Sequence, residues 1–97
     1  MGRTLDFLKQ LEQIIDQRRV DGLEHSYVKS LMGQGIDRVL KKIGEESGEV
    51  IIAAKNNDQA ELLNESADLL FHLILVLKKQ GCSIQDVVDT LYQRHHE

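Results

Sequence analysis

The sequence contains no proline and a single cysteine, and these two absences exclude several kinds of protein. A chain rich in short strands would need more frequent turn residues than the few stretches present here, so helices are expected. The one thiol, Cys82, cannot form a disulfide within the chain. The sequence therefore predicts a protein of a reducing cytoplasm.

Neither an excess of positive charge nor a long apolar run is present. The net charge of −4 disfavours a nucleic-acid partner, although a nucleotide substrate is compatible with it because a bound divalent cation can reverse the local sign. The longest apolar stretch, Leu69 to Leu77, is interrupted by His72 and is too short to cross a bilayer. Met1 to Phe7 carries no signal-peptide core, so no membrane partner is expected.

The length of 97 residues fits a single domain, residues 1–97. A domain this short buries only a modest fraction of its surface, and association with a second copy would bury more. We therefore predict an all-α fold in which four main helices form a bundle completed by dimerisation. A homodimer or a higher homo-oligomer is the expected assembly.

Apolar residues at spacings of three and four predict where the helices lie. The predicted main helices are about 4–19 after a Thr4 cap, 36–56, 59–80 after an Asp58 cap, and a last helix that begins with the capping box of Ser83 and Asp86. Gly81 suits the end of the third helix. In the looser segment 20–35, Ser26 could cap a short helical turn through Leu31. In the last helix, Ile84, Val87, Val88 and Leu91 are expected to face inward.

The third predicted helix is apolar on nearly every side between Leu69 and Leu77, except at His72. A helix of that kind must be covered all round. The other helices of a 97-residue chain cannot easily do so, which favours a second subunit against this helix; the alternative is a central helix wrapped by its own chain.

Two pairs of acids lie on the predicted second and third helices. Glu46 and Glu49 form one pair, Glu65 and Asp68 the other, and residues three apart share one helix face. Both pairs border the apolar stripe of their own helix. Packing of the two stripes would therefore gather four carboxylates in one partly buried patch.

Four such carboxylates would repel one another and lose hydration, at several kcal/mol each. A hard divalent cation relieves this cost, and Mg²⁺, with Mn²⁺ as a substitute, prefers oxygen ligands. The alternative is a solvated acidic face on which Lys42 and Glu46 form an ordinary ion pair at a spacing of four. His72 is interpreted as a satisfied core histidine rather than a ligand.

Around these acids the sequence resembles a known family. Glu-x-x-Glu followed by Glu-x-x-Asp is similar to the signature of the all-α nucleoside triphosphate pyrophosphohydrolases. Four longer stretches resemble phosphoribosyl-ATP pyrophosphatases in order and spacing: HSYVKSL at 25–31, GIDRVLKKIGEESGEVIIAA at 35–54, ESADLLFHLILVL at 65–77 and LYQRHH at 91–96. The resemblance extends over nearly the whole chain, from about residue 5 to residue 96.

The resemblance implies hydrolysis of phosphoribosyl-ATP to phosphoribosyl-AMP and pyrophosphate, the second step of histidine biosynthesis, with Mg²⁺ and in a dimer. The metal ligands that it implies are Glu46, Glu49, Glu65 and Asp68. It also assigns Glu45 and Lys42 to the edge of the site.

The hypothesis for the reaction is attack of water on the α-phosphorus, with the metal neutralising charge on the leaving pyrophosphate. Glu49 or Glu45 would be the general base. Positive charge near the phosphates would come from Lys42 and Arg38. The loop containing Ser26 and Tyr27 would supply further phosphate contacts.

Two departures and two rival functions bear on this hypothesis. In the first departure, Val28 and Ser30 stand where the family often has a Thr and a basic residue, which bears on the phosphate contacts of the loop. In the second, Gly48 stands where a small or β-branched residue is common. A related enzyme that clears non-standard nucleoside triphosphates would share the acids, although the Ser26–Tyr27 pair favours the histidine pathway. A non-catalytic helical dimerisation module would release no pyrophosphate from any nucleotide.

Overall fold

The computed structural model describes residues 3–21 and 27–96, and within these ranges it contains five α-helices and no strand. The helices are α1 (Phe7–Asp21), α2 (Tyr27–Gly33), α3 (Asp37–Lys55), α4 (Gln59–Lys79) and α5 (Ile84–His95). The predicted all-α fold is confirmed. The number of helices is larger than the predicted four because the short turn expected before Leu31 is a separate helix, α2. Ser26, its predicted cap, lies outside the described residues.

The α3–α4 connection is a tight turn built from local signals. Asn57 adopts a left-handed conformation with φ 55°, which an Asn side chain tolerates better than most. The Asp58 N–H donates to the Ala53 carbonyl at 3.0 Å, and the Asp58 carboxylate then accepts the Glu61 N–H at 3.1 Å, confirming the predicted cap. Because the turn is so short, α3 and α4 pack as an antiparallel pair.

The α4–α5 connection also follows the sequence prediction. Gly81 has φ 77°, and the Cys82 N–H donates to the Leu77 carbonyl at 2.7 Å, as in a helix end with a left-handed glycine. The Ser83 hydroxyl accepts the Asp86 N–H at 3.2 Å while the Asp86 carboxylate accepts the Ser83 N–H at 2.9 Å. The predicted capping box is therefore confirmed.

The start of α1 differs from the prediction. The helix begins at Phe7 rather than directly after Thr4, although the Thr4 hydroxyl accepts the Asp6 N–H at 3.3 Å. Leu5, the apolar residue of that first turn, is exposed. A helical turn gains most of its stability from packing of its apolar face, and this turn has none.

The core lies where α1 and α2 meet the start of α3, α4 and the start of α5. Its buried members are Ile15, Val28, Leu31, Met32, Val39, Ile74, Leu75 and Ile84. Two polar anchors hold the outer helices in place. The Lys79 ammonium on α4 donates to the Met32 and Gln34 carbonyls at 2.9 and 2.7 Å, and the Glu12 carboxylate accepts the Ile84 N–H at 2.8 Å. The Lys79 contacts fix α2 against α4, and the Glu12 contact fixes α1 against the start of α5.

Part of the predicted inward surface is exposed. Val88 and Leu91, expected to face inward on α5, are 48% and 50% exposed, and the apolar residues Leu40, Ile51 and Ala54 on α3 are exposed as well. Amphipathic spacing identifies an apolar face, but it does not specify whether that face packs within the chain. No helix in the described part of the chain combines the length and apolarity that crossing a membrane requires.

Candidate active site

The four predicted metal ligands lie on the two helices of the antiparallel pair. Glu46 on α3 is opposite His72 on α4, with 2.7 Å between the Glu46 Oε1 and His72 Nδ1 atoms. About one turn further along, Glu49 raises the pKa of Glu65 through its negative charge. Glu46 and Glu65 are buried, each 8% exposed, whereas Glu49 and Asp68 are exposed. The four acids therefore occupy one seam, half in the interior and half at its rim.

The buried carboxylate of Glu46 is satisfied by its own chain. His72 is 5% exposed, and its Nδ1 atom lies 2.7 Å from Glu46 Oε1 and 3.0 Å from the Asp68 carbonyl oxygen. Its Nε2 atom lies 2.6 Å from the Tyr27 hydroxyl. The prediction that His72 is a satisfied core histidine is confirmed, and its partner is one of the predicted ligands.

Tyr27 connects this pair to the positive edge of the site. Its ring stacks on Phe71 with a centroid distance of 6.5 Å, and the Arg38 guanidinium carbon lies 6.0 Å from the ring centroid. Burial raises the pKa of the Tyr27 phenol, the charges of Glu46 and Asp68 raise it further, and Arg38 lowers it. Tyr27, Arg38, Glu46 and Asp68 are thus close enough to influence one another electrostatically.

The environment of Glu65 contains other carboxylates. A hydrogen bond that its protonated form shares with Glu61, burial, and the negative charges of Glu49, Glu61 and Asp68 together raise the pKa of Glu65 to about 7. Like charges at a buried position favour the neutral form of one partner. Glu65 is therefore partly protonated near neutral pH when no cation is bound.

An open cavity of about 240 Å³ adjoins these acids at the turn end of the α3–α4 pair. It is lined by Glu49, Ile52, Ala53, Asn56, Asp58 and Glu61. Ligand pockets that enclose a small molecule commonly measure about 300–1,000 Å³. The described part of one chain thus offers a partial pocket whose lining includes the acids Glu49, Asp58 and Glu61.

The donor set suits a hard divalent cation in its chemistry. All four predicted ligands are carboxylates, and after the hydrogen bond with Glu61 and burial, the negative charges of Glu49 and Asp68 also contribute to the raised pKa of Glu65. Within residues 3–21 and 27–96, however, no three His, Cys, Asp or Glu side chains converge tightly enough to hold a metal ion. The metal assignment of Glu46, Glu49, Glu65 and Asp68 thus stays a prediction.

The other predicted site residues lie around this seam. The Arg38 guanidinium donates to the Ser30 hydroxyl at 3.1 Å. Lys42 is half-buried and Glu45 is exposed, and no described hydrogen bond or ion pair joins either of them to the four acids. The ordinary Lys42–Glu46 ion pair is thus not formed, and His72 takes its place. Ser26 lies outside the described residues.

Glu61 is a site residue that the sequence reasoning missed. It lines the cavity and acts on Glu65 more strongly than any other neighbour does. Its position four residues before Glu65 places both on one face of α4. That spacing could have identified it. Val28, which departs from the family pattern in the loop, is a core residue at 3% exposure.

Comparisons with known proteins agree with these observations. A family model described as phosphoribosyl-ATP pyrophosphohydrolase matches residues 8–95. The phosphoribosyl-ATP pyrophosphatase of Leptospira biflexa is 46% identical over 91 residues, covering 94% of this chain and 99% of that protein.

Longer relatives match as well. The histidine biosynthesis bifunctional protein HisIE of Lactococcus lactis is 48% identical over 90 residues, covering 93% of this chain and 42% of that protein. The corresponding HisIE of Thermus thermophilus is 56% identical over 72 residues, covering 74% of this chain and 34% of that protein. This chain spans less than half the length of the bifunctional relatives that it matches.

Proposed function

Because the chain belongs to the phosphoribosyl-ATP pyrophosphohydrolase family, we propose that it hydrolyses phosphoribosyl-ATP to phosphoribosyl-AMP and pyrophosphate, in histidine biosynthesis. The observation that carries the proposal is the match to the phosphoribosyl-ATP pyrophosphatase of Leptospira biflexa over 99% of that protein's length. The acidic seam between α3 and α4 supplies a chemical reason for phosphoanhydride hydrolysis. A cytoplasmic location is part of the proposal.

We assign a divalent cation, Mg²⁺ or Mn²⁺, to Glu46, Glu49, Glu65 and Asp68. When bound, it would supply positive charge to phosphate oxygens in the transition state. Support comes from the burial of two of these carboxylates and from the raised pKa of Glu65, to which a hydrogen bond with Glu61, burial, and repulsion from Glu49 and Asp68 contribute. A cation among them would remove that repulsion, so the same ion would serve folding and chemistry.

The chain's own residues would hold the substrate and move the proton. Arg38 and Lys42 on α3 carry positive charge on the same helix as Glu46, and they would bind phosphate oxygens. Glu49 or Glu45 would accept the proton of the attacking water. Both are exposed, and Glu49 also lines the cavity, which favours it.

We further propose that a second copy completes the site. The chain has an accessible surface of 7177 Å², whereas a monomer of 11.1 kDa is expected to expose about 5,700 Å². The difference, roughly 1,500 Å², is more than the ~800 Å² that each partner buries in a standard interface. Exposed apolar side chains on the α3–α4 pair include Ile51, Ile52, Leu63, Leu70 and Leu73. A partner against them would also enclose the cavity.

The decisive experiment is pyrophosphate release from phosphoribosyl-ATP, measured with Mg²⁺ and with EDTA. We expect turnover only with the metal, and slower turnover of dUTP and dCTP under the same conditions. Faster turnover of either deoxynucleotide would assign the chain to the clearance of non-standard nucleotides. No release from any of the three would favour the non-catalytic module.

A further inference from the structure

The hydrogen bonds of His72 link side chains from three helices in one continuous series. Tyr27 belongs to α2, His72 to α4 and Glu46 to α3, and the two connecting distances are 2.6 Å and 2.7 Å. His72 and Glu46 are each more than nine-tenths buried. The aromatic rings of Tyr27 and Phe71 lie near the imidazole, with centroids 5.7 Å and 5.3 Å away. The imidazole therefore has little freedom to rotate.

The direction of these hydrogen bonds follows from the partners. The Nδ1 atom faces a carboxylate oxygen and a backbone carbonyl oxygen, both of which accept. Nδ1 therefore carries the hydrogen and donates it. In the neutral ring, Nε2 is then left to accept the Tyr27 hydroxyl hydrogen. The Tyr27 contact thus favours the ring tautomer that can donate to Glu46.

The effect of this arrangement falls on the Glu46 side chain. A glutamate has three rotatable side-chain bonds, and ordering them costs conformational entropy. His72 fixes the Oε1 atom, whereas the Oε2 atom has no described hydrogen-bond partner. Every buried side-chain nitrogen or oxygen in the described part of the chain does have a hydrogen-bond partner. The second oxygen is therefore not sealed from solvent. Glu46 is held at one oxygen and available at the other.

We propose that His72, anchored by Tyr27, is a positioning residue that orients Glu46 for a divalent cation. The proposal rests on the proposed function, because it takes Glu46 as a metal ligand. His72 would also fix the backbone at Asp68, whose carbonyl oxygen accepts from the same Nδ1 atom at 3.0 Å. Partners that orient a ligating side chain contribute about 10- to 100-fold to metal affinity.

A purely structural histidine would have a different consequence. It would lower thermal stability when replaced, while the folded fraction of the protein would bind metal as before. A positioning residue changes metal affinity in protein that remains folded. Metal affinity in the absence of nucleotide also separates this role from any direct contact between Tyr27 and a phosphate.

The test uses Mn²⁺ binding to the full chain, measured by electron paramagnetic resonance without nucleotide, together with thermal unfolding. We expect His72→Phe to weaken Mn²⁺ binding by about 10- to 100-fold, and Tyr27→Phe, which removes only the far hydroxyl, by about 3- to 10-fold. His72→Asn keeps an N–H donor near the Nδ1 position. It should recover most of the affinity that His72→Phe loses.

The outcomes separate the positioning role from the proposed function. If wild-type protein binds Mn²⁺ and releases pyrophosphate, while folded His72→Phe and Tyr27→Phe bind Mn²⁺ with wild-type affinity, the positioning role alone is overturned. A loss in His72→Asn as large as that in His72→Phe would overturn it as well. Failure of wild-type protein to bind Mn²⁺ would overturn the metal assignment and, with it, the role of His72. Should His72→Phe fail to fold, Tyr27→Phe decides the question, because wild-type Mn²⁺ affinity in folded Tyr27→Phe would overturn the positioning role.

Discussion

Glu46 and Glu65 are equally buried, at 8% exposure each, but Glu46 has a hydrogen-bond donor beside it and Glu65 has other carboxylates. Glu46 accepts a hydrogen bond from His72, with 2.7 Å between Oε1 and Nδ1. A hydrogen bond shared with Glu61, burial, and the negative charges of Glu49, Glu61 and Asp68 raise the pKa of Glu65 to about 7. One carboxylate is satisfied by its own chain, whereas the other is destabilised by it.

The difference separates two uses of a buried acid. A buried carboxylate with a hydrogen-bond donor contributes to a specific packing arrangement, because leaving either partner unpaired is costly. A buried carboxylate among other carboxylates has no such effect, and it signals a missing positive charge. We therefore expect the Glu46 side of the seam to act as a scaffold and the Glu65 side to respond most strongly to a cation.

The largest expected effect is on turnover, and its companion effect on stability distinguishes the two sides. Glu46→Gln and Glu65→Gln should each reduce pyrophosphate release at least about 100-fold, because each removes a proposed ligand charge. In EDTA at pH 8, Glu65→Gln should raise the melting temperature by removing repulsion. Glu46→Gln should lower stability by about 1 kcal/mol, because a neutral amide replaces a charged acceptor. Calorimetry and a pyrophosphate assay measure the two effects.

Asp89→Asn is the matched control for these substitutions. Asp89 lies on α5, which carries none of the proposed ligands, and the amide oxygen of Asn can still accept from Gln85. Both turnover and melting temperature should remain near wild type. Equal stability changes in the Glu46 and Glu65 variants would contradict the distinction between the two sides.

How much of this could be predicted from sequence depends on the range of each interaction. The helix ends at Asp58, Gly81 and Ser83 were predictable, because their signals lie within a few residues. The Glu46–His72 contact was not, since it joins residues 26 positions apart and periodicity does not specify which residues of two helices meet. The exposure of Val88 was missed for a similar reason: an apolar stripe does not identify its partner.

The second prediction concerns the second copy of the chain that would pack against the Glu65 side of the seam. Ile52 lines the cavity beside Glu49 and is 60% exposed. Leu63 lies two residues before Glu65 and is 71% exposed. Leu63→Lys should weaken self-association by about 10- to 100-fold, because the ammonium would be buried in an apolar interface. Analytical ultracentrifugation over a range of concentrations measures the change.

Leu5→Lys is a matched control, since Leu5 is an exposed leucine outside the α3–α4 pair. It should leave self-association unchanged. Wild-type protein that sediments as a monomer at all concentrations would refute the proposed dimer. Equal weakening by both substitutions would show that the contact surface is not the α3–α4 face.

The third prediction is a pH dependence of stability specific to Glu65. Its folded pKa of about 7 lies above the value of about 4.3 for an unfolded Glu. Between these values the folded state binds a proton that the unfolded state has released, so stability falls as pH rises. In EDTA, the free energy of unfolding of wild-type protein should fall between about pH 4.3 and pH 7 relative to that of Glu65→Gln, as denaturant titrations at several pH values would measure. Mg²⁺ should weaken this pH dependence, and an unchanged difference between the two proteins across the range would contradict the acidic environment of Glu65.

The smallest expected effect is a change in the pKa of the Tyr27 phenol, and it distinguishes the two carboxylates most directly. Glu46 raises this pKa through its charge, whereas Glu65 is not among its causes. Glu46→Gln should therefore lower the pKa of Tyr27, and Glu65→Gln should leave it unchanged. Arg38→Gln should raise the pKa of Tyr27, because it removes the positive charge that lowers this pKa. Titration of ¹³C-labelled tyrosine followed by NMR, with Tyr92→Phe to assign the signals, measures each shift. Equal shifts in Glu46→Gln and Glu65→Gln would mean that the two acids form one electrostatic cluster rather than two distinct environments.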